Sequence, residues 1–343
     1  MSRRIRDRGV VIGSLPPGPG NRITDVPGVT VGHCTVREGD ACTGVTVILP
    51  CPENPFAHKL CAASFVWNGF GKTAGLVQID ELGRLESPIA LTNTLNVGLV
   101  QDALVEYMLR RCQAEGVKIT SFNPVVGECN DSGLNHIARR AVGLDQVLAA
   151  IDSAGTDFAL GDVGAGAGTQ CHGLKGGIGS ASRVLEIEGK KYTLGILVQS
   201  NYGKLEDLRL DGAAIGRDIA RRLAAPDEPD QGSIMMIVAT DLPVNERQLG
   251  RIIRRASVGL ARLGSYVGHG SGEVMIGFTT ACRFDHEGAP AVCSQPVLRE
   301  ELLDGAFRAV AECCEEAVLD SMVCAAPARL PEGEILHSLD EFI

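Results

Sequence analysis

Apolar runs that are short and almost uninterrupted constrain the fold of this chain more than any other feature of its sequence. Four of them are rich in β-branched residues, and they occupy residues 28–36, 43–50, 192–200 and 233–240. A strand with one face in solvent alternates apolar and polar residues, whereas a continuous apolar run is typical of a strand covered on both faces. The sequence therefore predicts sheets that lie between other layers of structure.

Four further segments have the apolar periodicity of amphipathic helices, and they occupy residues 96–116, 211–225, 245–264 and 299–325. Because strands and helices do not alternate strictly, we predict an α/β fold of the layered-sandwich kind, with helices outside paired sheets. The proline-bearing stretch 224–232 is the clearest loop. The apolar run after it is too short to begin a new domain, so we expect residues 1–343 to form a single domain.

The overall composition narrows the class of protein and its partners. A formal net charge of −10 over 343 residues argues against a nucleic-acid partner, because such partners select for basic patches. No apolar run approaches the ~18 residues of a membrane span, and the first residues lack the apolar stretch of a signal peptide. The 12 cysteines include no Cys-x-x-Cys pair, which predicts reduced thiols. We therefore expect a cytoplasmic protein without a membrane partner.

Three glycine-containing motifs resemble known sites without satisfying them. The stretch 69–75 ends like a phosphate-binding loop, but Val66 occupies the position of the first glycine. In 268–274, His269 replaces the first glycine of a nucleophile elbow. The glycine-rich stretch 161–179 lacks the spacing of a dinucleotide-binding loop and is expected to be a tightly packed loop. The histidines have no metal-ligand spacing, so we expect neither a metal nor a cofactor.

The pair Gly232-Ser233 lies between a polar loop and a predicted buried strand. A serine hydroxyl becomes a useful nucleophile only with a base in reach. If the peptide bond before Ser233 were cut, its new α-amino group, with an unperturbed pKa of ~7.7–8.0, would be such a base on the same residue. Glycine before the cut tolerates strained backbone. The residues alone leave both a plain loop end and a self-cleavage site open.

Long blocks of the sequence resemble the S58 family of self-processing aminopeptidases, which includes L-aminopeptidase/D-esterase, D-aminopeptidase and β-aminopeptidase types. The blocks follow the order of that family, and they include NRITDVPGVTVGHCTV, NGFGKTAG, SPIALTNTLNVG, NPVVGECNDSGLN, FALGDVGAGAGTQCHGLKGGIGSASR, GILVQSNYG, GSIMMIVATDLP and GSGEVMIGFTTA. The resemblance implies a four-layer αββα sandwich that is like an N-terminal-nucleophile hydrolase in shape but has different connectivity.

The resemblance also implies that the chain cuts itself between Gly232 and Ser233. A large fragment, 1–232, and a small fragment, 233–343, would then stay associated as one catalytic domain. Ser233 would be the nucleophile of the mature enzyme.

Four other residues match functional positions of the family. Glu273 is implied to hold the Ser233 ammonium, and Ser271 to relay a hydrogen bond to its hydroxyl. Asn201 matches an oxyanion-hole amide, and Glu128 matches the acid that receives the free amine of a substrate. Taken singly, Asn201 could instead be a turn residue, Glu273 a surface acid, and Glu128 a helix cap or the partner of an arginine such as Arg139.

The chain departs from the family pattern at two positions. Asn130 stands where an aromatic residue, often tyrosine, is usual, and Lys72 stands where an acid is common. Both departures bear on the identity of the substrate more than on the nucleophile. We expect Asn130, Trp67 and Phe70 to contribute to substrate binding.

The activity that the resemblance implies is that of a serine aminopeptidase, amidase or esterase that works through an acyl-enzyme on Ser233. Its substrates would be small peptides, amides or esters with a free amine, and the enzyme would be a homo-oligomer, a tetramer of cleaved heterodimers. Three alternatives stay open at this point. They are hydrolysis of ω-amino-acid oligomers, acyl transfer of the ornithine-acetyltransferase kind, and an inactive scaffold that binds a small molecule.

Overall fold

A computed structural model of the chain describes residues 3–225, 231–288 and 290–343. Within these ranges the helices are α1 (Leu76–Leu82), α2 (Val97–Glu115), α3 (Leu144–Asp152), α4 (Ile215–Leu223), α5 (Glu246–Ile253), α6 (Ala256–Arg262) and α7 (Asp304–Val323). The strands of the same ranges are β1 (Thr30–Glu38), β2 (Ala41–Leu49), β3 (His58–Gly69), β4 (Arg84–Leu85), β5 (Ile89–Asn93), β6 (Val125–Cys129), β7 (Gln170–Cys171), β8 (Leu174–Lys175), β9 (Ile178–Ile187), β10 (Lys190–Asn201), β11 (Gln231–Thr240), β12 (Gly270–Asp285), β13 (Ala328–Arg329) and β14 (Ile335–Leu336).

Two sheets form the centre of the fold. The smaller has the strand order β1-β2-β5-β6, and the larger has the order β4-β3-β12-β11-β10-β9. In the larger sheet β11 runs antiparallel to β10 and parallel to β12. Consequently the last residues of β10 and the first residues of β11 and β12 lie side by side, where these three central strands end.

The core is divided by these sheets into three layers of apolar contacts. Between the sheets, Ile48 and Leu91 of the smaller sheet share a cluster with Met235, Ile237 and Ile276 of the larger one. The opposite face of the larger sheet packs against α5, α6 and α7, and the outer face of the smaller sheet packs against α2 and α3. The layers are therefore helix, sheet, sheet and helix, and the predicted αββα sandwich is confirmed.

Strand β11 shows why its sequence lacks the usual alternation. Ile234, Met236 and Val238 point towards the helices, whereas Met235 and Ile237 point towards the other sheet. Because successive side chains of a strand point to opposite faces, covering both faces requires apolar residues throughout.

Three predicted helices differ from the observed ones, and the first is 211–225, which is α-helical only over Ile215–Leu223. The segment 245–264 begins at the Asn245 cap, whose side chain accepts from Gln248 N at 2.9 Å. It forms two helices, α5 and α6, which are separated by Arg254 and Arg255. At the break these arginines stack on Phe65 and Phe307, which lie on different elements. The segment 299–325 becomes α-helical only at Asp304, after a 3-10 turn.

The loop predicted at 224–232 falls mainly on residues 226–230, which lie outside the described residues. The glycine-rich stretch 161–179 is largely buried and closely packed, as predicted. The single-domain organisation of 1–343 stays a prediction. None of the helices in the described part of the chain combines the length and the apolarity needed to cross a bilayer.

His33 on β1 gives the fold a titratable group that is sensitive to acid. Its Nδ1 lies 2.9 Å from Thr46 Oγ1 and its Nε2 lies 3.1 Å from the Ala159 carbonyl oxygen. Burial lowers the pKa of His33 to about 4, from an ordinary value of 6.5. The unfolded chain therefore binds the proton more tightly, and this group removes stability as the pH falls from 6.5 towards 4.

We expect the free energy of unfolding to fall by about 1–2 kcal/mol between pH 7.5 and pH 5 on account of this one residue. Urea titrations of the wild type and His33→Gln at both pH values measure the effect, because glutamine removes the titration. The control is His136→Gln, since His136 is an exposed histidine beside Asp40. Equal pH dependence in the wild type and His33→Gln would contradict the prediction.

Candidate active site

The residues predicted from the sequence as nucleophile and oxyanion donor are direct neighbours in the larger sheet. Asn201, the last residue of β10, pairs with Ser233 near the start of β11. On the other side of Ser233, Gly272 of β12 is its parallel partner. Ser233 is 4 % exposed and Asn201 is 8 % exposed. The strand register thus fixes the backbones of both residues, and Asn201 is a strand end rather than a turn residue.

Ser271 and Glu273 lie two positions apart on β12 and therefore point to the same face of the sheet. Both are completely buried, and the Ser271 hydroxyl donates a hydrogen bond to the Glu273 carboxylate. Glu273 is therefore not a surface acid. The register places Ser271 beside Gly232 and Glu273 beside Ile234, on the strand that carries Ser233.

Asn68 fixes the beginning of β12, a role that sequence reasoning missed. Its side-chain amide donates to the Ser271 carbonyl oxygen and to the Gly268 carbonyl oxygen, the latter at 3.1 Å. Asn68 belongs to a block that resembles the S58 family, but only the fold shows which backbone groups its amide contacts. The amide therefore holds the segment that presents Ser271.

Glu128 lies near the end of β6 in the smaller sheet and is 3 % exposed. Its carboxylate accepts from the Lys72 backbone N–H at 3.0 Å and from the Thr94 hydroxyl. Both donors are neutral groups. Arg139, the alternative partner, instead contacts Asp40 at 2.6 Å. The arrangement can accept an ammonium group as a further donor.

The side-chain amide of Asn201 has a fixed orientation. Its Oδ1 accepts from the Gln170 backbone N–H at 2.9 Å. Because the oxygen end of the amide is occupied in this way, donation from Nδ2 is the remaining chemistry of the group. Gln170 is a second residue that sequence reasoning missed, since its side chain carries no signal and only its backbone takes part.

A cavity of about 1540 Å³ opens beside these residues, and its lining includes Ser233, Asn201 and Glu128. The carboxylate, the hydroxyl and the amide thus face one space, although they belong to two different sheets. Ser271 and Glu273 lie behind this lining. In the described part of the chain, no three His, Cys, Asp or Glu side chains are grouped so that they could hold a metal ion.

Besides Glu128, three residues are predicted to bind substrate, and the structure places them differently. Phe70 and Asn130 both line the cavity, and Asn130 also accepts from the Ser132 N–H at 2.9 Å. Trp67 lies outside the described lining and is 41 % exposed. It occupies a β-bulge, because Glu273 pairs with Asn68 whereas Val274 pairs with Val66. The contribution of Trp67 to substrate binding stays a prediction.

The fold and this site together define a hydrolase of the N-terminal-nucleophile-like class. The sequence model of peptidase family S58 matches residues 21–336. The chain belongs to this family and is a hydrolase of the serine aminopeptidase type.

Individual relatives agree with this assignment. The β-peptidyl aminopeptidase BapA of Sphingosinicella xenopeptidilytica is 36% identical over 346 residues, which cover 94% of this chain and 85% of the relative. The PH0078 protein of Pyrococcus horikoshii OT3 matches with a TM-score of 0.92 at 43% identity, over 98% of this chain and 96% of that one. The L-aminopeptidase D-Ala-esterase/amidase of Ochrobactrum anthropi matches with a TM-score of 0.91 at 32% identity, over 98% and 95%.

Proposed function

We propose that the chain cleaves itself between Gly232 and Ser233 and then acts as an aminopeptidase with Ser233 as its N-terminal nucleophile. The fragments 1–232 and 233–343 stay associated, since β11 of the small fragment pairs with β10 of the large one. The observation that carries the proposal is the position of Ser233. It lies between Asn201 and the buried Ser271–Glu273 pair, at the wall of the cavity.

In the proposed reaction, the neutral α-amino group of Ser233 takes the proton from its own hydroxyl as the oxygen attacks the substrate carbonyl. Asn201 Nδ2 donates to the oxyanion that forms. The leaving amine or alcohol then receives the proton, and an ester to Ser233 remains. Water hydrolyses this ester by the same steps. Glu273 stabilises the ammonium form of the Ser233 amine, and Ser271 orients the carboxylate.

Glu128 is proposed to select substrates with a free amine. A substrate ammonium placed against this nearly buried carboxylate forms a charge-assisted hydrogen bond, whereas an internal peptide bond offers no charge there. The proposed substrates are small peptides, amides and esters with such an amine. Two relatives are named as a β-peptidyl aminopeptidase and an L-aminopeptidase D-Ala-esterase/amidase. These names support testing both β-aminoacyl and α-aminoacyl substrates. Release of p-nitroaniline from L-, D- and β-aminoacyl p-nitroanilides would identify the preferred class.

Glu128→Gln tests this selection directly. We expect kcat/KM for a free-amine substrate to fall about 10²-fold, because a buried charge pair loses one partner. The matched control is Glu334→Gln, which changes an exposed acid of the same cavity. Acetylation of the substrate amine should abolish turnover by the wild type and add little to the defect of Glu128→Gln. Full discrimination against the acetylated substrate in Glu128→Gln would contradict the assignment.

We also propose a cytoplasmic homo-oligomer, a tetramer of cleaved heterodimers. The resemblance of the whole chain to the S58 family supports the assembly, and the net charge of −10 supports a protein without a nucleic-acid partner. Sedimentation equilibrium of the purified protein measures the assembly. A mass of one chain at micromolar concentration would contradict it.

A further inference from the structure

The glycine-rich stretch 161–179 contains a buried lysine that the proposed reaction does not use. Lys175 is 1 % exposed and forms β8 with Leu174. Its ammonium group donates to three backbone carbonyl oxygens, those of Gly166 at 3.0 Å, Thr169 at 2.9 Å and Gly176 at 2.7 Å. All three of its N–H donors are therefore used, and all three bind the backbone around this stretch.

One of these carbonyls belongs to the peptide group that orients Asn201. The Thr169 carbonyl oxygen accepts from Lys175, and the N–H of the same peptide group, on Gln170, donates to Asn201 Oδ1 at 2.9 Å. The Thr169 oxygen also accepts from Gly176 N at 3.0 Å. In addition, Gln170 and Lys175 are register partners of the β7–β8 hairpin. The ammonium and Asn201 thus bind opposite ends of a single amide.

We propose that Lys175 is a positioning residue for the oxyanion hole, acting through the Thr169–Gln170 peptide group on Asn201. A cation at the carbonyl oxygen fixes the plane of this peptide and polarises it, so that its N–H is a stronger donor. The Asn201 amide is polarised in the same sense, and its Nδ2 becomes a stronger donor towards an oxyanion. Two amides in series therefore transmit a buried positive charge to the reacting atoms.

This inference rests on the proposed function, because it assigns Lys175 a part in the chemistry of Ser233 and Asn201. Its energetic logic is that of preorganisation. Donors already fixed and polarised before the reaction need no rearrangement when negative charge develops on the substrate oxygen. A lysine kept in a fully buried place for packing alone would be replaceable by an apolar side chain of equal length.

The charge on Lys175 depends on its surroundings. Burial lowers the pKa of Lys175 to about 8, and the charged or titratable groups that face it are Asp162, Asp131, Arg37 and the Cys42 thiol. Asp162 is itself paired with Arg37, which limits how far it can stabilise the ammonium. Above pH 8 Lys175 therefore becomes neutral, and we expect kcat to decline.

This alkaline decline is distinguishable from two other effects of pH. The Ser233 amine must be neutral to act as a base, so its titration raises activity with pH rather than lowering it. Because the pKa of Lys175 is lower in the folded chain than in the unfolded one, this group adds stability as the pH rises from 8 towards 10.5. If deprotonation of Lys175 lowers kcat, this fall in kcat is therefore not a consequence of unfolding caused by the same deprotonation.

The test compares Lys175→Met with a matched control, Lys59→Met. Lys59 also donates to a backbone carbonyl, that of Phe56 at 2.9 Å, but it lies at the far end of β3 from Asn68. On processed enzyme we expect Lys175→Met to lower kcat at pH 7.5 about 10-fold or more, with KM nearly unchanged. The decline of kcat above pH 8, which is the alkaline limb of the profile, should be absent in this variant. Lys59→Met should keep both the kcat and the limb of the wild type.

The dependence of kcat on pH is measured with an ester that has a good leaving group, because such a leaving group needs no proton from the enzyme. Affinity for an amino aldehyde, which forms a tetrahedral adduct, should fall in parallel with kcat, whereas affinity for the free amino acid product should not. The proposal is wrong if Lys175→Met keeps the wild-type kcat. It is also wrong if the variant lowers kcat, raises KM and weakens product binding together. If this variant does not mature, the wild-type profile decides, and a kcat that does not fall up to pH 9.5 overturns the proposal.

The same assays separate this inference from the proposed function. Wild-type enzyme without turnover, or Ser233→Ala with normal turnover, would remove the proposed function itself. Turnover that needs Ser233 but is indifferent to Lys175→Met would remove only the inference about Lys175.

Discussion

Ser233→Ala is expected to remain one uncleaved chain of 343 residues and to lose aminopeptidase activity by about 10⁴- to 10⁶-fold. Alanine removes the hydroxyl that both proposed reactions require, the attack on the Gly232 carbonyl and the attack on the substrate. The backbone pairing of this position with Asn201 and Gly272 does not involve the side chain, so the fold should persist. Denaturing electrophoresis and mass spectrometry detect cleavage, p-nitroanilide turnover measures activity, and circular dichroism measures whether the fold persists.

The matched control for this variant is Ser180→Ala. Ser180 is also a buried serine of the larger sheet, and its hydroxyl donates to the Ile196 carbonyl oxygen at 2.6 Å. It should lose some stability but retain normal cleavage and turnover. Two fragments from Ser233→Ala, with the smaller still beginning at residue 233, would show that another group performs the cut. Ser233→Cys adds a graded result, because a thiol can still attack while its larger sulfur changes the geometry.

Much of the fold can be predicted from the sequence because burial on both faces leaves a direct trace in composition. The run 233–240 predicts β11 for this reason, and 192–200 predicts β10. The break between α5 and α6 leaves no such trace. Both helices face the same core, so the apolar periodicity continues across Arg254 and Arg255, although i to i−3 backbone hydrogen bonds replace the regular i to i−4 bonds of an α-helix there.

The candidate site is predictable in part, for a related reason. Gly232-Ser233 is visible because a polar loop meets a buried strand there, and Glu128, Asn201, Ser271 and Glu273 become recognisable through long blocks of family resemblance. Local sequence does not reveal the β-bulge at Trp67, so the direction of this side chain is not predictable from the alternation of the strand.

Contacts made through the backbone are the least visible from the sequence. Gln170 orients Asn201 with its N–H, and Lys175 binds carbonyl oxygens rather than an acidic side chain. A glycine-rich stretch indicates tight packing, but the sequence does not show which peptide group faces the reacting atoms.

Gly232→Ala is expected to slow self-cleavage about 10²- to 10³-fold, even though it leaves Ser233 intact. Gly232 has a φ of 141°, a conformation that residues with a Cβ rarely adopt. A Cβ at this position would lie 1.9 Å from the Asn201 carbonyl oxygen. That oxygen is part of the backbone of β10 and cannot rotate away as a side chain would.

The contact forces one of two rearrangements, and both disturb the reaction. If Gly232 leaves its present conformation, the carbonyl to be attacked moves relative to the Ser233 hydroxyl. If β10 moves instead, Asn201 moves with it, since the two strands pair directly at Asn201 and Ser233. A displacement of the order of 1 Å at reacting atoms can reduce a rate by about 10²-fold. The amount of uncleaved chain against time after synthesis, resolved by electrophoresis, gives the rate.

Gly189→Ala separates this steric effect from the conformational preference of glycine alone. Gly189 connects β9 to β10 in the same sheet with a φ of 77°, but a Cβ there would meet nothing within 4 Å. This variant carries the strain of a left-handed residue, about 1 kcal/mol, without the clash. It should cleave at the wild-type rate. If Gly232→Ala also cleaves at that rate, the geometry between Gly232 and Asn201 is not what limits self-cleavage. If Gly232→Ala cleaves slowly and Gly189→Ala cleaves normally, the requirement for glycine at position 232 comes from the close approach of β10 and β11.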